Sequence, residues 1–203
     1  MTTSAFWDKI APRYAARPVQ DPNAYAETLE RTQSYLSADD DVLEVGCGTG
    51  TTALHLAYAV RHITATDYAQ GMIDIAEGKR ADKELRNVTF RQAGLSEPDD
   101  QTYDAVLAFN LLHLIEDVPA AIDALAVRLK PGGYFISKTV CLAHGGWPLR
   151  LLIPAMRLVG KAPYVGFLRR TEMNGMIEAA GLQIVETGGY PSARNHFIVA
   201  RKT

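Results

Sequence analysis

Residues 41 to 50 read DVLEVGCGTG, and this stretch decides which fold the chain can adopt. Its first half, DVLEV, is a short apolar run with the length of a buried strand, and glycines follow it directly. The next residues, 51 to 59, have the pattern of a helix. A strand, a tight turn and a helix in this order form the repeating unit of a parallel α/β sheet.

The same unit recurs along the chain. Strands are predicted over residues 61–66, 87–92, 103–109, 133–139, 182–186 and 197–200, and helices over 4–11, 23–37, 69–83, 117–129 and 171–180. The sequence KPGG at 130–133 predicts a turn between a helix and the next strand. We therefore expect an α/β fold. It is a doubly wound, seven-stranded, mostly parallel sheet with a C-terminal antiparallel hairpin, an N-terminal helical cap and a helical insertion after strand 5.

The chain is expected to be one domain, residues 1–203, with the cap over 1–38 and an apolar, basic insertion over 141–171. Hydrophobic residues make up 47% of the sequence and charged residues 22%, as in globular proteins with a packed core. Of the two cysteines, Cys47 lies inside the glycine turn, so no disulfide is expected. The first residues lack the apolar core of a secretory signal, and no run of about 18 apolar residues occurs, so we expect a cytoplasmic protein.

The glycine turn also predicts a ligand site. Gly46, Gly48 and Gly50 lack a Cβ atom, which lets the backbone turn tightly and lets a ligand approach it. Asp67 ends the second predicted strand, close to the spacing of about 20 residues at which an acid reaches the ribose hydroxyls of a nucleoside. Asp67 is also placed to cap the following helix, and both roles are compatible. The GxGxG spacing, with Thr51 in place of a further glycine, argues against a nicotinamide or flavin dinucleotide.

Four segments, one of them within the glycine turn, carry a family pattern over nearly the whole chain. They read EVGCGTG at 44–50, TATDYAQGMIDIA at 64–76, TYDAVLAFNLLHLIED at 102–117 and LKPGGYFI at 129–136. With FWDKIAPRYA at 6–15 in the cap, the chain resembles the class I, Rossmann-like S-adenosylmethionine-dependent methyltransferases. It is most similar to the small-molecule branch that includes the quinone C-methyltransferases.

This resemblance implies a set of cofactor contacts. The backbone of the glycine turn would hold the methionine part and Asp67 the ribose, while Tyr68 and Met72 would lie near the adenine and Tyr14 would close over the cofactor. Many relatives carry an acidic residue after the third strand for the adenine amino group, and here Gly94 stands there. The expected cofactor-binding residues are Tyr14, Glu44, Gly46, Cys47, Gly48, Gly50, Asp67, Tyr68, Met72, Gly94, Leu95, Phe109 and Asn110.

His113 is the candidate catalytic residue. It follows the fourth predicted strand, at the sheet edge where ligands bind in open α/β folds, and a pKa near neutrality suits a general base. A histidine here also fits a packing or hydrogen-bonding role. His144 and His196 are further candidates for substrate contacts, and no histidine or cysteine spacing indicates a metal site.

The insertion differs in charge from the rest of the chain. Residues 141–171 hold five basic residues and no acid, for a charge of +5, while the remainder holds 16 basic and 23 acidic residues, for −7. Its apolar side chains, such as Trp147, accompany Arg150 and Arg157, which lie seven positions apart, and Pro154 is expected to interrupt a long amphipathic helix. Three interpretations stay open for residues 145–170: a lid over an apolar acceptor, a contact with an anionic membrane, or plain packing on the domain.

The predicted function is methyl transfer from S-adenosylmethionine to a small, partly apolar acceptor, with a lipid or quinone among the candidates. The alternatives are a non-catalytic protein that binds S-adenosylmethionine and, less favoured, a nicotinamide-dependent oxidoreductase. Nucleic acid is not an expected partner, because the acidic body lacks a broad basic face and the fourth strand is followed by FNLLH and not by an NPPY-like motif. The oligomeric state is not indicated.

Overall fold

A computed structural model describes residues 4–95, 97, 100–143, 146–189 and 195–203, with side chains left out for 146–150. Its strands are β1 (Asp41–Val45), β2 (His62–Asp67), β3 (Val88–Gln92), β4 (Tyr103–Phe109), β5 (Leu129–Val140), β6 (Leu182–Gly188) and β7 (Asn195–Lys202). Its helices are α1 (Ser4–Ala15), α2 (Pro22–Gln33), α3 (Thr51–Leu56), α4 (Gln70–Asp82), α5 (Val118–Val127), α6 (Gly146–Leu158) and α7 (Arg170–Ala179).

All seven strands form one sheet in the order β3-β2-β1-β4-β5-β7-β6. The first five are parallel to one another, and β7 runs antiparallel to both β5 and β6. The predicted fold class is confirmed, including the C-terminal hairpin. Because β1 is paired with β2 on one side and β4 on the other, the chain reverses its winding direction at the carboxyl end of β1.

Two hydrophobic clusters lie on the opposite faces of the sheet. One packs α3 and the start of α4 against side chains such as Val42, Leu107 and Ile136. The other packs α5 and α7 against Leu43, Val106 and their neighbours. Successive residues of a strand point to opposite faces of the sheet, and Val42 and Leu43 accordingly belong to different clusters. Because helices cover both faces, both sets of strand residues are apolar, which explains the uninterrupted apolar runs in the sequence.

Three predicted boundaries were wrong for a physical reason. The first helix was expected to end before Pro12 but runs on to Ala15, because a proline removes only its own N–H and the carbonyl of Pro12 still accepts from the Ala16 amide at 3.2 Å. Likewise, Pro154 lies inside α6 and does not end it. The turn predicted at 130–133 lies within β5, as an irregularity of its pairing with β4 between the pairs Tyr103–Leu129 and Ala105–Tyr134.

The cap is attached to the sheet domain through α4. α1 packs on α4, and the Asp8 carboxylate accepts a hydrogen bond from the Gly71 amide at 2.8 Å. That amide belongs to the first turn of α4, where N–H groups have no partner inside the helix. The cap therefore covers the helix that begins at the end of β2. The division of the chain into a cap at 1–38 and an insertion at 141–171 stays a prediction.

Candidate active site

A cavity of about 1030 Å³ opens at the carboxyl ends of the parallel strands, where the winding direction reverses. Twelve of the thirteen residues expected to bind the cofactor line it, and the exception is Gly50. They come from the cap, the glycine turn and the ends of β2, β3 and β4, and they are Tyr14, Glu44, Gly46, Cys47, Gly48, Asp67, Tyr68, Met72, Gly94, Leu95, Phe109 and Asn110. The structure therefore gathers into one place residues that are up to 96 positions apart in the chain.

The three glycines of the turn have different tasks. All three have positive φ, at 64° for Gly46, 54° for Gly48 and 73° for Gly50. A Cβ atom added to Gly50 would lie 2.5 Å from the ring of Phe90, so Gly50 is needed for packing. At Gly48 the nearest atom would be 3.8 Å away, in Tyr14, and this glycine faces open cavity. Gly48 is thus the position at which the backbone is accessible to a ligand.

Asp67 accepts hydrogen bonds from the protein backbone and also lines the cavity. Its Oδ2 accepts from the Gly48 amide and its Oδ1 from the Ala69 amide, each at 2.9 Å, so the carboxylate ties the glycine turn to the start of α4. Burial raises the pKa of Asp67, and three backbone hydrogen bonds, from Ala69, Gly48 and Tyr68, act against that shift. A carboxylate has about four acceptor positions, so after these three hydrogen bonds one remains for a hydroxyl of a bound ribose. The ribose contact stays a prediction.

Glu44 carries a buried oxygen that lacks a partner. The side chain is 2% exposed, it receives a backbone hydrogen bond from Ala53, and its Oε2 has no hydrogen-bond partner among the described residues. Burial raises the pKa of Glu44 to about 8, because the charged form is poorly solvated there. A buried polar atom in a cavity wall requires a hydrogen-bond partner, and for the carboxylate form of Glu44 that partner is a donor. The ammonium group of the methionine part of S-adenosylmethionine is such a donor, so the site fits the predicted cofactor.

Aromatic side chains of the cap stand over the glycine turn. Trp7 and Tyr14 form an edge-to-face pair with ring centroids 6.4 Å apart, and both line the cavity together with Tyr68. Burial raises the pKa of Tyr14, and the nearby Asp67 adds to that shift. Met72 is buried between α4 and the cap helix, in a cluster with Ala11. These groups supply an apolar cover for a planar ligand at the end of β2.

The part of the cavity after β3 contains Gly94, at the position where many relatives carry an acidic residue. Gly94 lines the cavity, and its amide donates to the Glu97 carboxylate at 2.9 Å. The carbonyl of Leu95 accepts from the Arg128 guanidinium at 3.1 Å. A carboxylate is therefore present three residues beyond Gly94, but it is bonded to the backbone of that glycine. The contacts of Gly94 and Leu95 with the cofactor stay predictions.

Lysines and an amide that the sequence did not single out also line the cavity. Lys79 donates to the carbonyl and the hydroxyl of Thr49 at 3.1 and 2.9 Å, which fixes the glycine turn from α4. Lys138 near the end of β5 and Asn195 at the start of β7 lie on the far side. A lone lysine within the apolar strand sequence FISKTV was a signal that could have indicated Lys138.

The candidate catalytic histidine lies outside the cavity lining. The Nδ1 atom of His113 is buried without a partner in the described part of the chain, and burial lowers the pKa of His113 to about 4. Its carbonyl accepts from the Gly166 amide at 2.7 Å, which joins the end of β4 to the insertion. His196 is buried and contacts the Asn174 side chain at 2.7 Å, and His144 lies outside the described residues. A catalytic role for His113 stays a prediction.

Within the described ranges, no group of three or more histidine, cysteine, aspartate or glutamate side chains could hold a metal ion. The two cysteines are free, and burial raises the pKa of the Cys47 thiol well above its ordinary value. Cys47 therefore lines the cavity as an unreactive, neutral thiol.

Comparisons with known proteins agree with this geometry. A family model described as a methyltransferase domain matches residues 17–187. A ubiquinone biosynthesis O-methyltransferase of Rickettsia bellii is 27% identical over 85% of this chain and 75% of its own length. The protein of that name from Xylella fastidiosa is 27% identical over 99% of this chain and 83% of its own. The solved DhpI–SAH complex, in which SAH denotes S-adenosyl-L-homocysteine, has a TM-score of 0.78 at 21% identity and covers 99% of this chain and 95% of its own.

Proposed function

This chain belongs to the methyltransferase domain family, and on that premise we propose that it transfers the methyl group of S-adenosylmethionine to a small, partly apolar acceptor. The class I fold, the methyltransferase activity and the S-adenosylmethionine cofactor, all predicted from the sequence, are confirmed, as is the resemblance to quinone methyltransferases. The identity of the acceptor is the proposed part.

One observation supports this acceptor class most directly: the cavity is large, and its lining becomes more apolar with distance from the glycine turn. Ligand pockets commonly measure about 300 to 1,000 Å³, and the volume here is at the upper end of that range. The glycine turn, Glu44 and Asp67 form its polar side. Beyond them, the lining after β4 and β5 contains five apolar side chains, Phe109, Leu111, Leu114, Ile115 and Val140, beside the polar Asn110, Glu116, Asp117 and Lys138.

The protein's own contribution to such a reaction is positioning. S-adenosylmethionine, when bound, supplies a methyl group on a positively charged sulfur that is already activated for displacement. The glycine turn, Glu44 and Asp67 would hold the donor while the apolar wall orients the acceptor and excludes water. Holding two reactants in alignment supplies an effective molarity of about 10⁵ to 10⁸ M, which lowers a barrier by roughly 7 to 11 kcal/mol. A general base is required only for an acceptor whose proton must leave.

The test is transfer of label from methyl-labelled S-adenosylmethionine to a small-molecule extract, followed by separation of the products. We expect label in an organic-soluble product when the native protein is present. The variant Glu44→Ala, which removes the proposed ammonium contact, should label that product at least about tenfold less at low cofactor concentration. Retention of all label in macromolecules, or in the cofactor itself, would contradict a small acceptor.

The role of His113 as a base is tested in the same assay. If the histidine accepts a proton from the acceptor, His113→Gln should lower turnover by about 10²-fold or more while cofactor affinity stays unchanged. Wild-type turnover with normal cofactor affinity would show that the ring serves only packing.

An anionic membrane is the partner that we propose for the insertion. Leu151, Leu152, Leu158 and Val159 are 65%, 53%, 89% and 65% exposed, and their spacing places them on one face of α6 and its end. On the inner side, Arg157 donates to the Glu116 carboxylate at 2.7 Å and lies over the ring of Tyr164. An exposed apolar stripe on a segment with a charge of +5 matches an interface rich in acidic lipid headgroups.

Peripheral attachment is the only kind proposed, since no helix in the described residues is both long and apolar enough to cross a bilayer. Sedimentation with vesicles that contain phosphatidylglycerol should bring down the wild-type protein at low salt and much less of the double variant Leu151→Glu, Leu158→Glu. The matched control is Val127→Glu, at a valine on α5 that is 74% exposed, and it should sediment as the wild type does. A wild-type protein that stays in the supernatant at low salt would rule out the membrane contact. The cytoplasmic location stays a prediction.

A further inference from the structure

Lys138 is a buried cation in the wall of the cavity. It lies near the carboxyl end of β5, is 8% exposed and lines the cavity with Phe109 and Val140. Lysine is almost never buried to this degree unless it is paired. Within the described residues its Nζ makes one polar contact, with the Thr28 hydroxyl at 2.8 Å, and no carboxylate lies within ion-pair distance.

The contact with Thr28 leaves most of the donor capacity of Lys138 unused. The Thr28 hydroxyl donates to the carbonyl of Ala24 at 2.8 Å, so its oxygen is the acceptor for Lys138. An ammonium group has three donors, and a neutral hydroxyl provides no opposite charge. Asp21 and Glu27 raise the pKa of Lys138 from a distance, whereas burial, the larger effect, lowers it. The geometry is that of a cation whose anionic partner is absent from the described chain.

The strand register places Lys138 across the cavity from Glu44. Glu44 is paired with Leu107 of β4, Leu107 is paired with Ile136 of β5, and Lys138 follows two positions later on the same face of the sheet. Since β4 separates β1 from β5, the two backbones are about 10 Å apart. The cavity therefore has a buried acid on its cofactor side and a buried amine on its acceptor side, and neither has an opposite charge in contact within the described part of the chain.

The nearest strand neighbours of Lys138 on its face of the sheet are apolar. Phe109 is paired with it on β4, and Val140 follows it on the same face of β5. Asn195, which is paired with Val140, adds one amide. The other cations in the lining are Lys79, which is bonded to the glycine turn, and Arg17, which is exposed. The lining also contains the acids Asp21, Glu116 and Asp117, none of which is in ion-pair contact with Lys138. A buried cation that keeps no counter-ion beside apolar side chains is complementary to an apolar molecule with one acidic oxygen.

We propose that the methyl acceptor is an apolar molecule that carries an anionic oxygen, and that Lys138 is the residue that binds this oxygen. The proposal rests on the proposed function and narrows its acceptor class. Lys138 acts here as a binding and specificity-determining residue, and its charge compensates the acceptor without a proton transfer. Because the cation lies on β5 and the cofactor-side acid on β1, with β4 between them, the acceptor would be oriented with its acidic group toward β5.

The test compares two probes of the same shape, 2-naphthoate and neutral 2-naphthamide, by calorimetry with and without saturating S-adenosyl-L-homocysteine. We expect the native protein to bind the anion about 10- to 100-fold more tightly than the amide. Lys138→Met should abolish this preference and Lys138→Arg should retain most of it. Affinity for S-adenosyl-L-homocysteine should be unchanged in both, which also shows that they are folded. Lys138→Gln serves as a second neutral variant.

The matched control is Arg17→Met, which removes an exposed cation of the same cavity and should keep the preference for the anion. The proposal is overturned if the native protein binds the two probes alike or binds neither, or if Lys138→Met and Lys138→Gln keep the preference. Failure of S-adenosyl-L-homocysteine to bind would instead contradict the proposed function. The two failures are distinguishable, because the probe titrations without S-adenosyl-L-homocysteine test Lys138 independently.

Discussion

At the scale of single residues, the site is distinguished by polar groups that folding has buried without satisfying. Glu44 has one oxygen without a partner in the described residues, and its pKa is raised to about 8. Lys138 has no counter-ion there. Each of these costs stability in the empty protein, because a buried charge or polar atom is favourable only when it is paired. A ligand that provides the partner recovers this free energy on binding.

The raised pKa of Glu44 predicts that cofactor binding releases a proton. At pH 7 the carboxyl group is mostly protonated in the free protein, whereas an ammonium group beside it favours the carboxylate. Calorimetry at pH 7 in buffers with different ionisation enthalpies should therefore show release of close to one proton per S-adenosylmethionine bound. The release should disappear in Glu44→Gln, which cannot titrate. Binding without proton release in the native protein would mean that Glu44 does not meet the ammonium.

The lowered pKa of His113 predicts a pH dependence of stability. Between pH 6.5 and about 4 the unfolded chain binds a proton at this residue and the folded chain does not, so the free energy of unfolding falls as the pH is lowered through this window. The contribution of His113 amounts to up to about 3 kcal/mol. Chemical denaturation from pH 7 to pH 4 should show a shallower decline in His113→Gln than in the native protein. Parallel declines would show that the ring is solvated and ordinary.

At the scale of elements, the glycines of the turn at residues 46–50 differ in role: two are required for packing, and one is open to a ligand. Gly50 and Gly46 are confined by Phe90 and Leu111, while Gly48 is open to the cavity. The sequence alone shows three equivalent glycines, because nothing in the GxGxG spacing reveals which side chains of distant elements approach each of them. The ligand-facing position became evident only from the packed structure.

Alanine substitutions should separate these two tasks. Both Gly48→Ala and Gly50→Ala place a Cβ atom at positive φ, which costs about 1 to 2 kcal/mol. Gly50→Ala adds the collision with Phe90, so its free energy of unfolding should fall by about 2 to 5 kcal/mol. Gly48→Ala should stay within about 2 kcal/mol of the native protein but lose cofactor affinity. Denaturation and calorimetry on both variants measure this, and equal stability losses would contradict the assignment.

Sequence periodicity predicted the elements well where local and tertiary preferences agree. The strand at 103–109 has the predicted bounds, and most other strands and helices differ by only one or two residues. Three errors occurred at prolines and glycines, at Pro12, Pro154 and the KPGG segment, because sheet pairing and helix packing can accommodate one missing N–H or one irregular pair. A fourth was the end of the second helix, which was predicted at residue 37 and lies at Gln33. The cofactor side was predictable from its motifs. The sequence offered one signal for Lys138, a lysine within the strand sequence FISKTV, but its importance became evident only from the packed structure, where the described residues give it no counter-ion.

At the scale of the whole molecule, the strand order divides the cavity at one reversal point, and the proposed sites of donor and acceptor lie on its two sides. The glycine turn and Asp67 follow β1 and β2, while Phe109 and Lys138 lie at the ends of β4 and β5. The cap covers the first side through Tyr14, and the insertion reaches the second through Tyr164. This arrangement explains why the motifs identify the cofactor and leave the acceptor open: they belong mainly to the first side.

The measurement that tests this account most directly is a calorimetric titration of the native protein with S-adenosylmethionine, compared with the variant Asp67→Ala. The account predicts one site per chain in the native protein. It also predicts an affinity at least about tenfold lower in the variant, which loses the carboxylate that faces both the glycine turn and the cavity. Absence of binding to the native protein, or equal affinity in the two proteins, would contradict a cofactor site at the glycine turn.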